Sequence, residues 1–236
     1  MANGISVWLR GLRNRRRNAR ARACGNEISV DPKDVWRVDI KVRGTGNVIR
    51  IGKLRPGRGR LKISLCANGS SVTIGKGVAI ADRLDILVGQ DHPNFGAVSG
   101  SGVSVGEGSG FESTGIILFN SHAHVSIGRD CMFAYDIVVH NSDAHPIYDL
   151  STGELVNFVS DLRIGDNVWV GARTTILKNV RIPDGCIIGW GSVVTGRFET
   201  DHAVIAGNPA RILPGKRVGW KRTDPRFIAN ERDIAP

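Results

Sequence analysis

The chain has 236 residues, enough for one large domain or two small ones with a sizeable core, which excludes a disulfide-stapled miniprotein. Hydrophobic residues make up 41% and charged residues 23%, too apolar for overall disorder, and no 18-residue apolar run marks a transmembrane helix. The formal charge is +10, but seven arginines and no acid fall within residues 1–26, leaving 25 basic against 22 acidic residues and a nearly neutral body without the charge of a nucleic-acid binder. Thirty glycines beside abundant valine and isoleucine suit many short strands with tight corners. Cys24, Cys66, Cys131 and Cys186 form neither a CxxC pair nor a disulfide framework, and the N-terminus lacks a secretory pattern. The expectation is a cytoplasmic protein with reduced thiols.

In chain order, the first predicted element is a basic arm over residues 1–26, in which Ile5, Trp8, Leu9 and Leu12 share one helical face beside the arginine cluster. Two readings stay open: a solvated arm, or an interfacial helix that holds the protein to an anionic membrane surface or a polyanionic polysaccharide. Aliphatic residues then recur every six positions, at Ile74, Ile80 and Ile86, more weakly at Val105, Phe111 and Ile117, and again at Ile127, Phe133 and Val139. The pattern is strongest at Ile164, Val170, Ile176, Ile182, Ile188 and Val194. A helical period of 3.6 cannot produce it.

The second place of these hexads is often glycine (Gly165, Gly171, Gly189), as expected where corners need dihedrals that a Cβ disfavours. The fifth is small or branched (Val168, Thr174, Val180, Cys186, Ser192), and Cys131 occupies the same place upstream, so packing accounts for both cysteines. Three hexads make one triangular coil of 18 residues, and stacked coils pair their strands in parallel. The predicted fold class is therefore all-β, a parallel β-helix over 27–213. Breaks in the register place ejected loops near 90–102 and 144–161, with a smaller excess near His122. The register fades after Thr195, and residues 214–236 read as a polar tail.

The run from Ile164 to Thr195, the segment Ser142 to Ile147 (SDAHPI) and the closing Ala206 to Arg211 (AGNPAR) resemble the hexapeptide-repeat acyltransferase family. Within it they are most similar to sugar O-acetyltransferases acting on galactosides, maltose and, above all, bacterial capsular polysaccharide or sialic acid. The resemblance implies a left-handed β-helix, against the general preference for right-handed crossovers. It also implies a homotrimer with sites between subunits, acetyl-CoA as donor and a carbohydrate acceptor; no metal is expected, since the loop carries His145 away from the other histidines, and no nucleic acid, since no reading module accompanies the charge.

The same resemblance makes His145 the general base. A side chain with a pKa of about 6.5 can take a proton from a sugar hydroxyl and return it to a thiolate near neutral pH. Asp143 either fixes the tautomer of that imidazole or merely caps the loop. Trp169, unusual at an outward repeat position, either packs on substrate or fills an interface. For the acetyl-CoA groove the candidates are Gly171, Ala172, Gly189 and Trp190, with Arg197, Arg211, Lys216 and Arg217 for its phosphates. Two departures from the family stand out: Gly196 replaces a usual lysine, and Trp190 a usual alanine. N-acylation of an amino sugar, a γ-type zinc carbonic anhydrase using histidines such as His122, His124 and His140, and a non-catalytic membrane-binding trimer remain as alternatives.

Overall fold

The protein is described by a computed structural model over residues 4–90 and 97–223. Its strands form three faces wound into a parallel β-helix. Face 1 stacks Glu27–Val30, Val48–Ile51, Ser71–Ile74, Gly102–Val105, His124–Ile127, Leu162–Ile164 and Arg181–Ile182 in that order, every pair parallel. Face 2 ends in Met132–Phe133, Trp169–Val170, Ile187–Ile188 and Val204–Gly207. Face 3 begins with Val38–Arg43 and Arg60–Asn68 and ends in Ile137–His140, Thr175–Leu177 and Val193–Val194. Two long strands, Ala79–Val88 and Gly110–Leu118, run across faces 2 and 3 together. Corners 1, 2 and 3 denote the turns from face 1 to 2, from 2 to 3, and from 3 back to 1.

The hexad residues form the core. Ile164, Val170, Ile176, Ile182, Ile188 and Val194 are all buried, as are the fifth-place Val168, Thr174, Val180, Cys186 and Ser192. Burial raises the Cys186 thiol and pushes that of Cys131 up to about 11, so both stay protonated at neutral pH. Fifth-place hydroxyls close corner 2, where Thr174 donates to the Gly171 carbonyl and Ser192 to that of Gly189, each at 2.7 Å.

Three details correct the sequence reading. Arg181 pairs with Arg163, so late coils take 18 residues, but Ser71 pairs with Val48, so early coils take 23. The extra residues lie between faces 3 and 1, where the face-3 strand is extended to nine residues in Arg60–Asn68. Second, the strand Gly110–Leu118 has one residue fewer than its neighbour opposite the irregularity between Ile80 and Arg83. This shifts the phase, so Ile116 and Leu118 are buried and Ile117 is only half-buried. Third, the left-handed corner residues fall at the fourth place of the hexad, at Asn167, Arg173, Asn179, Gly185 and Gly191. The second-place glycines serve close coil stacking instead. A Cβ on Gly165 would lie 2.7 Å from the Asp184 backbone nitrogen, and one on Gly171 would lie 2.8 Å from the Ile188 carbonyl oxygen.

All ejected chain leaves at corner 3. Within the first expected loop, Val98 and Ser99 are paired with Ala67 and Asn68; residues 91–96 lie outside the described residues. The second loop spans residues 142–160 and carries a small antiparallel bridge between Tyr148 and Leu155. After Thr195 the strict six-residue phase lapses but the chain winds on: Val204–Gly207 adds a rung above Ile187–Ile188, and Ala210–Ile212 turns back antiparallel on it. Residues 213–223 descend along corner 1, whereas 224–236 of the expected tail lie outside the described residues.

The helix Gly4–Ala23 covers the first coil, whose strands would otherwise be an open edge. It does so with a polar face: Asn14 and Asn18 are buried, and the Asn14 amide donates to the carbonyls of Val35 and Val38 at 2.9 and 2.8 Å. Trp8 and Leu9, expected on a single apolar face, are 64% and 54% exposed, and the Ile5 side chain lies outside the described residues.

Candidate active site

The loop that carries His145 is tied at its neck by Asn141, which is fully buried at the end of face 3. Its amide donates to the Ser160 carbonyl at 3.1 Å, and its side-chain oxygen accepts the Asn179 N–H of the next coil at 3.3 Å. Beyond the neck, the Ser142 hydroxyl accepts the Ala144 N–H, and Ala144 is left-handed with φ 60°. The chain thereby reverses, and His145 projects as an exposed residue at the loop's base.

Asn157, from the loop's returning limb, donates to both the Asp143 carboxylate and the His145 carbonyl at 2.8 Å. Lys178, from the coil above, pairs with the same carboxylate at 2.5 Å. Partial burial would raise the Asp143 carboxyl, but the hydrogen bonds from Lys178 and Asn157 outweigh it and hold the group below the usual carboxylate range. Asp143 therefore stays ionised and fixes the loop through Lys178 and Asn157. Neither partner was singled out from the sequence. Lys178 sits 35 positions from Asp143 and becomes a neighbour only through the stacking of His140 on Leu177.

Trp169 lies on a different face. It stacks between Met132 and Ile187 on face 2, and its ring centroid is 6.2 Å from that of Trp220 at 46°. At corner 2, Gly171 and Ala172 are buried and Trp190 is exposed. The Trp190 ring meets Tyr135 edge-on, with centroids 5.2 Å apart. In register, Tyr135, Ala172 and Trp190 occupy one position in successive coils, so the two rings close over the small Ala172. Gly189 stacks on Ala206, whose partner is Arg211, and this brings Arg211 to the same corner.

The remaining basic candidates are dispersed. Arg197 is at corner 3, donating to the Asn179 carbonyl at 3.2 Å and lining a surface groove of about 590 Å³ with His122, Asp161, Arg163 and Arg181. Arg217 pairs with Asp201 along corner 1 at 2.7 Å, and Lys216 is exposed beside it. Of the other histidines, His124 pairs with Asp161 at 3.4 Å, while His140 meets Phe119 edge-on and partial burial lowers its imidazole.

The bacterial transferase hexapeptide family, defined by six repeats, matches residues 161–196. The chain is 39% identical over 132 residues to the polysialic acid O-acetyltransferase of Escherichia coli O1:K1, a match covering 54% of this chain and 41% of that protein. It is 32% identical over 129 residues to the polysialic acid O-acetyltransferase of Neisseria meningitidis, covering 50% and 60%. The crystal structure of the polysialic-acid-specific acetyltransferase NeuO superimposes with a TM-score of 0.61 at 30% identity, over 80% of this chain and 89% of that one. The two curated relatives are thus matched over 41% and 60% of their own lengths. The class defined by these coils is the left-handed parallel β-helix of hexapeptide repeats. The chain belongs to the hexapeptide-repeat transferase family.

Proposed function

We propose that the protein transfers the acetyl group of acetyl-CoA to a hydroxyl of an anionic cell-surface polysaccharide or its precursor, by direct attack and with His145 as general base. The observation that carries this reading is the loop base, where Asn141, Asn157, Asp143 and Lys178 tie down the backbone that presents the exposed His145. His145 takes the proton of the acceptor hydroxyl as its oxygen attacks the thioester carbonyl. When the tetrahedral intermediate collapses, the C–S bond breaks and His145 returns the proton to the thiolate of coenzyme A. The Trp169 indole N–H is the candidate donor to the oxyanion.

The donor substrate fits corner 2. The N–H groups of Gly171 and Gly189 are spent on the carbonyls of Ile188 and Ile205, and Ala172 lies beneath the Tyr135 and Trp190 rings, so the exposed Trp190 is the better place for contact with the pantetheine arm, with Arg211 above it for phosphate. Since His145 leaves from corner 3 and Trp169 lies on face 2, the reading includes a homotrimer in which adjacent subunits complete each site. In support, the same loop exposes Ile147, Tyr148, Leu150, Val156 and Phe158, an apolar cluster suited to a partner subunit.

The helix Gly4–Ala23 supports a polyanionic acceptor and a cytoplasmic protein peripheral to an anionic membrane face. It contains no acid, and Arg13, Arg15, Arg16 and Arg20 are exposed, without ion pairs among the described residues. The test is acceptor-dependent thiol release from acetyl-CoA with polysialic acid first, then neutral and other anionic oligosaccharides. His145→Ala should lose about 10²- to 10⁴-fold in kcat with its Tm unchanged, because the side chain is exposed. Transfer within threefold of wild type would overturn the role of His145.

A further inference from the structure

The descending C-terminal segment is a built strap. The Val218 N–H donates to the His202 carbonyl at 2.8 Å, and the His202 ring faces the Val218 carbonyl at 3.2 Å. Lower down, the Trp220 indole N–H donates to the Asn167 carbonyl at 2.7 Å. Lower still, the Arg222 guanidinium donates to the carbonyls of Cys131 and Gly108 at 2.7 and 2.9 Å. His202, Asn167 and Gly108 belong to one column of left-handed residues at corner 1, so the strap runs antiparallel to the winding and is pinned to several coils. Gly110 makes room for its last anchor, because a Cβ there would lie 2.6 Å from the guanidinium. The Arg222 seat is desolvated enough to lower its guanidinium.

Between these anchors the strap delivers one ring, Trp220, onto Trp169. Trp169 is carried by a strand of two residues, flanked in register by Met132 and Ile187 and still 36% exposed, so a further contact is needed to fix the outer part of its ring. Trp220 has its N–H committed to Asn167, two residues before Trp169, and so cannot swing without losing that bond. We infer that Trp220 is a positioning residue: through the strap it fixes the indole orientation in which Trp169 serves acyl transfer. This inference rests on the proposed role of Trp169.

Full-length wild type, Trp220→Phe, Trp220→Ala, Arg222→Lys, Arg222→Ala and Trp169→Phe are compared by circular dichroism and by steady-state kinetics with acetyl-CoA and polysialic acid. Two indoles 6.2 Å apart at 46° should give an exciton couplet. The couplet should vanish in Trp220→Ala and Trp169→Phe and weaken in Arg222→Ala, with Arg222→Lys retaining more of it. In parallel, Trp220→Ala should lower kcat by about tenfold or more with KM for acetyl-CoA within twofold, since small misplacements of a reacting group can cost up to about 10²-fold. Trp220→Phe, which keeps a ring but loses the Asn167 bond, should fall between and covers the case in which the alanine variant fails to fold.

A couplet absent from wild type, or lost in Trp220→Ala with kcat within twofold, overturns the inference. A fall in kcat in Arg222→Ala with the couplet intact also overturns it, because the strap would then act without moving Trp220 on Trp169. The parent reading fails in a distinguishable way: the wild type shows no transfer, or Trp169→Phe transfers at the wild-type rate, and the inference falls with it.

Discussion

The Asn141 amide is bonded to the Ser160 carbonyl at 3.1 Å, so a fully buried side chain at the end of face 3 closes the neck of the loop that presents His145. The same side chain binds the next coil through Asn179, which makes the loop base continuous with the prism. Replacing Asn141 by Ala removes both bonds, which together contribute about 1 to 3 kcal/mol. Asn141→Ala is therefore expected to lower stability by about that amount and to depress kcat as the loop base loosens. Asn157→Ala, half-exposed, should leave Tm nearly unchanged while also lowering kcat. Denaturant melts beside kinetics check both, and an Asn141→Ala protein of full activity would show that the neck does not position His145.

The Asp143 carboxyl gives a pH prediction. Its folded-state pKa is held below the ordinary carboxylate value by Lys178 and Asn157, so the stability it contributes is present above the unfolded pKa of about 3.9 and is lost as pH falls through the folded value. The Tm difference between wild type and Asp143→Asn should therefore be flat from neutral pH down to about pH 5 and shrink below about pH 4. A difference that instead grows on acidification would contradict the Lys178 pairing. Because Asp143 is ionised well before neutrality, Asp143→Asn should leave the acid limb of the kcat/KM profile in place.

The downstream half of the prism was legible in the sequence because each hexad there has one inward aliphatic, and Ile164 to Val194 keep strict phase. The upstream half was less so: Arg60–Asn68 lengthens one side of the early coils, and the irregularity opposite Glu112 moves the inward position from Ile117 to Ile116. At the site, the motif pointed to His145 and Asp143, but their supports come from the loop's far limb and the coil above, separations that local spacing does not encode. Trp220 was hidden for the same reason, in a stretch without repeat. Arg197 and Arg217 stood near the groove candidates in sequence, yet a triangular coil sends nearby residues to different corners.

The two kinds of glycine make a contrast that sequence alone did not draw. At Gly165 an added Cβ would sit 2.3 Å from the Asp184 carboxylate oxygen and 2.7 Å from its backbone nitrogen, so the coils must part. At Gly191 there is open space and the only cost is a φ of 69°. Gly191→Ala should cost about 1 to 2 kcal/mol, the usual penalty of a left-handed side chain. Gly165→Ala should cost more, as overpacking typically adds about 1 to 3 kcal/mol and here strains the backbone of two coils. Urea melts of the two variants decide it, and equal stabilities would refute the stacking argument.

The arginines of the N-terminal helix can be tested without removing the helix. Deleting it would uncover the strands Glu27–Val30 and Val38–Arg43 and lose the Asn14 bonds and the Arg17–Asp39 pair, so any binding defect would be confounded with unfolding. Arg13, Arg15, Arg16 and Arg20 are exposed, and replacing all four by Gln keeps helix propensity while removing four charges. Each cation near an anionic surface contributes about 1 kcal/mol, attenuated by salt over about 8 to 10 Å. The quadruple variant should therefore bind polysialic acid and phosphatidylserine vesicles more weakly at low salt, with a shallower dependence of log affinity on log salt. Its Tm and its turnover on a short soluble acceptor should match wild type, because the substituted groups hold no part of the β-helix. Equal salt slopes for the two proteins would show that the helix is a cover for the first coil and does not tether the protein to a polyanion.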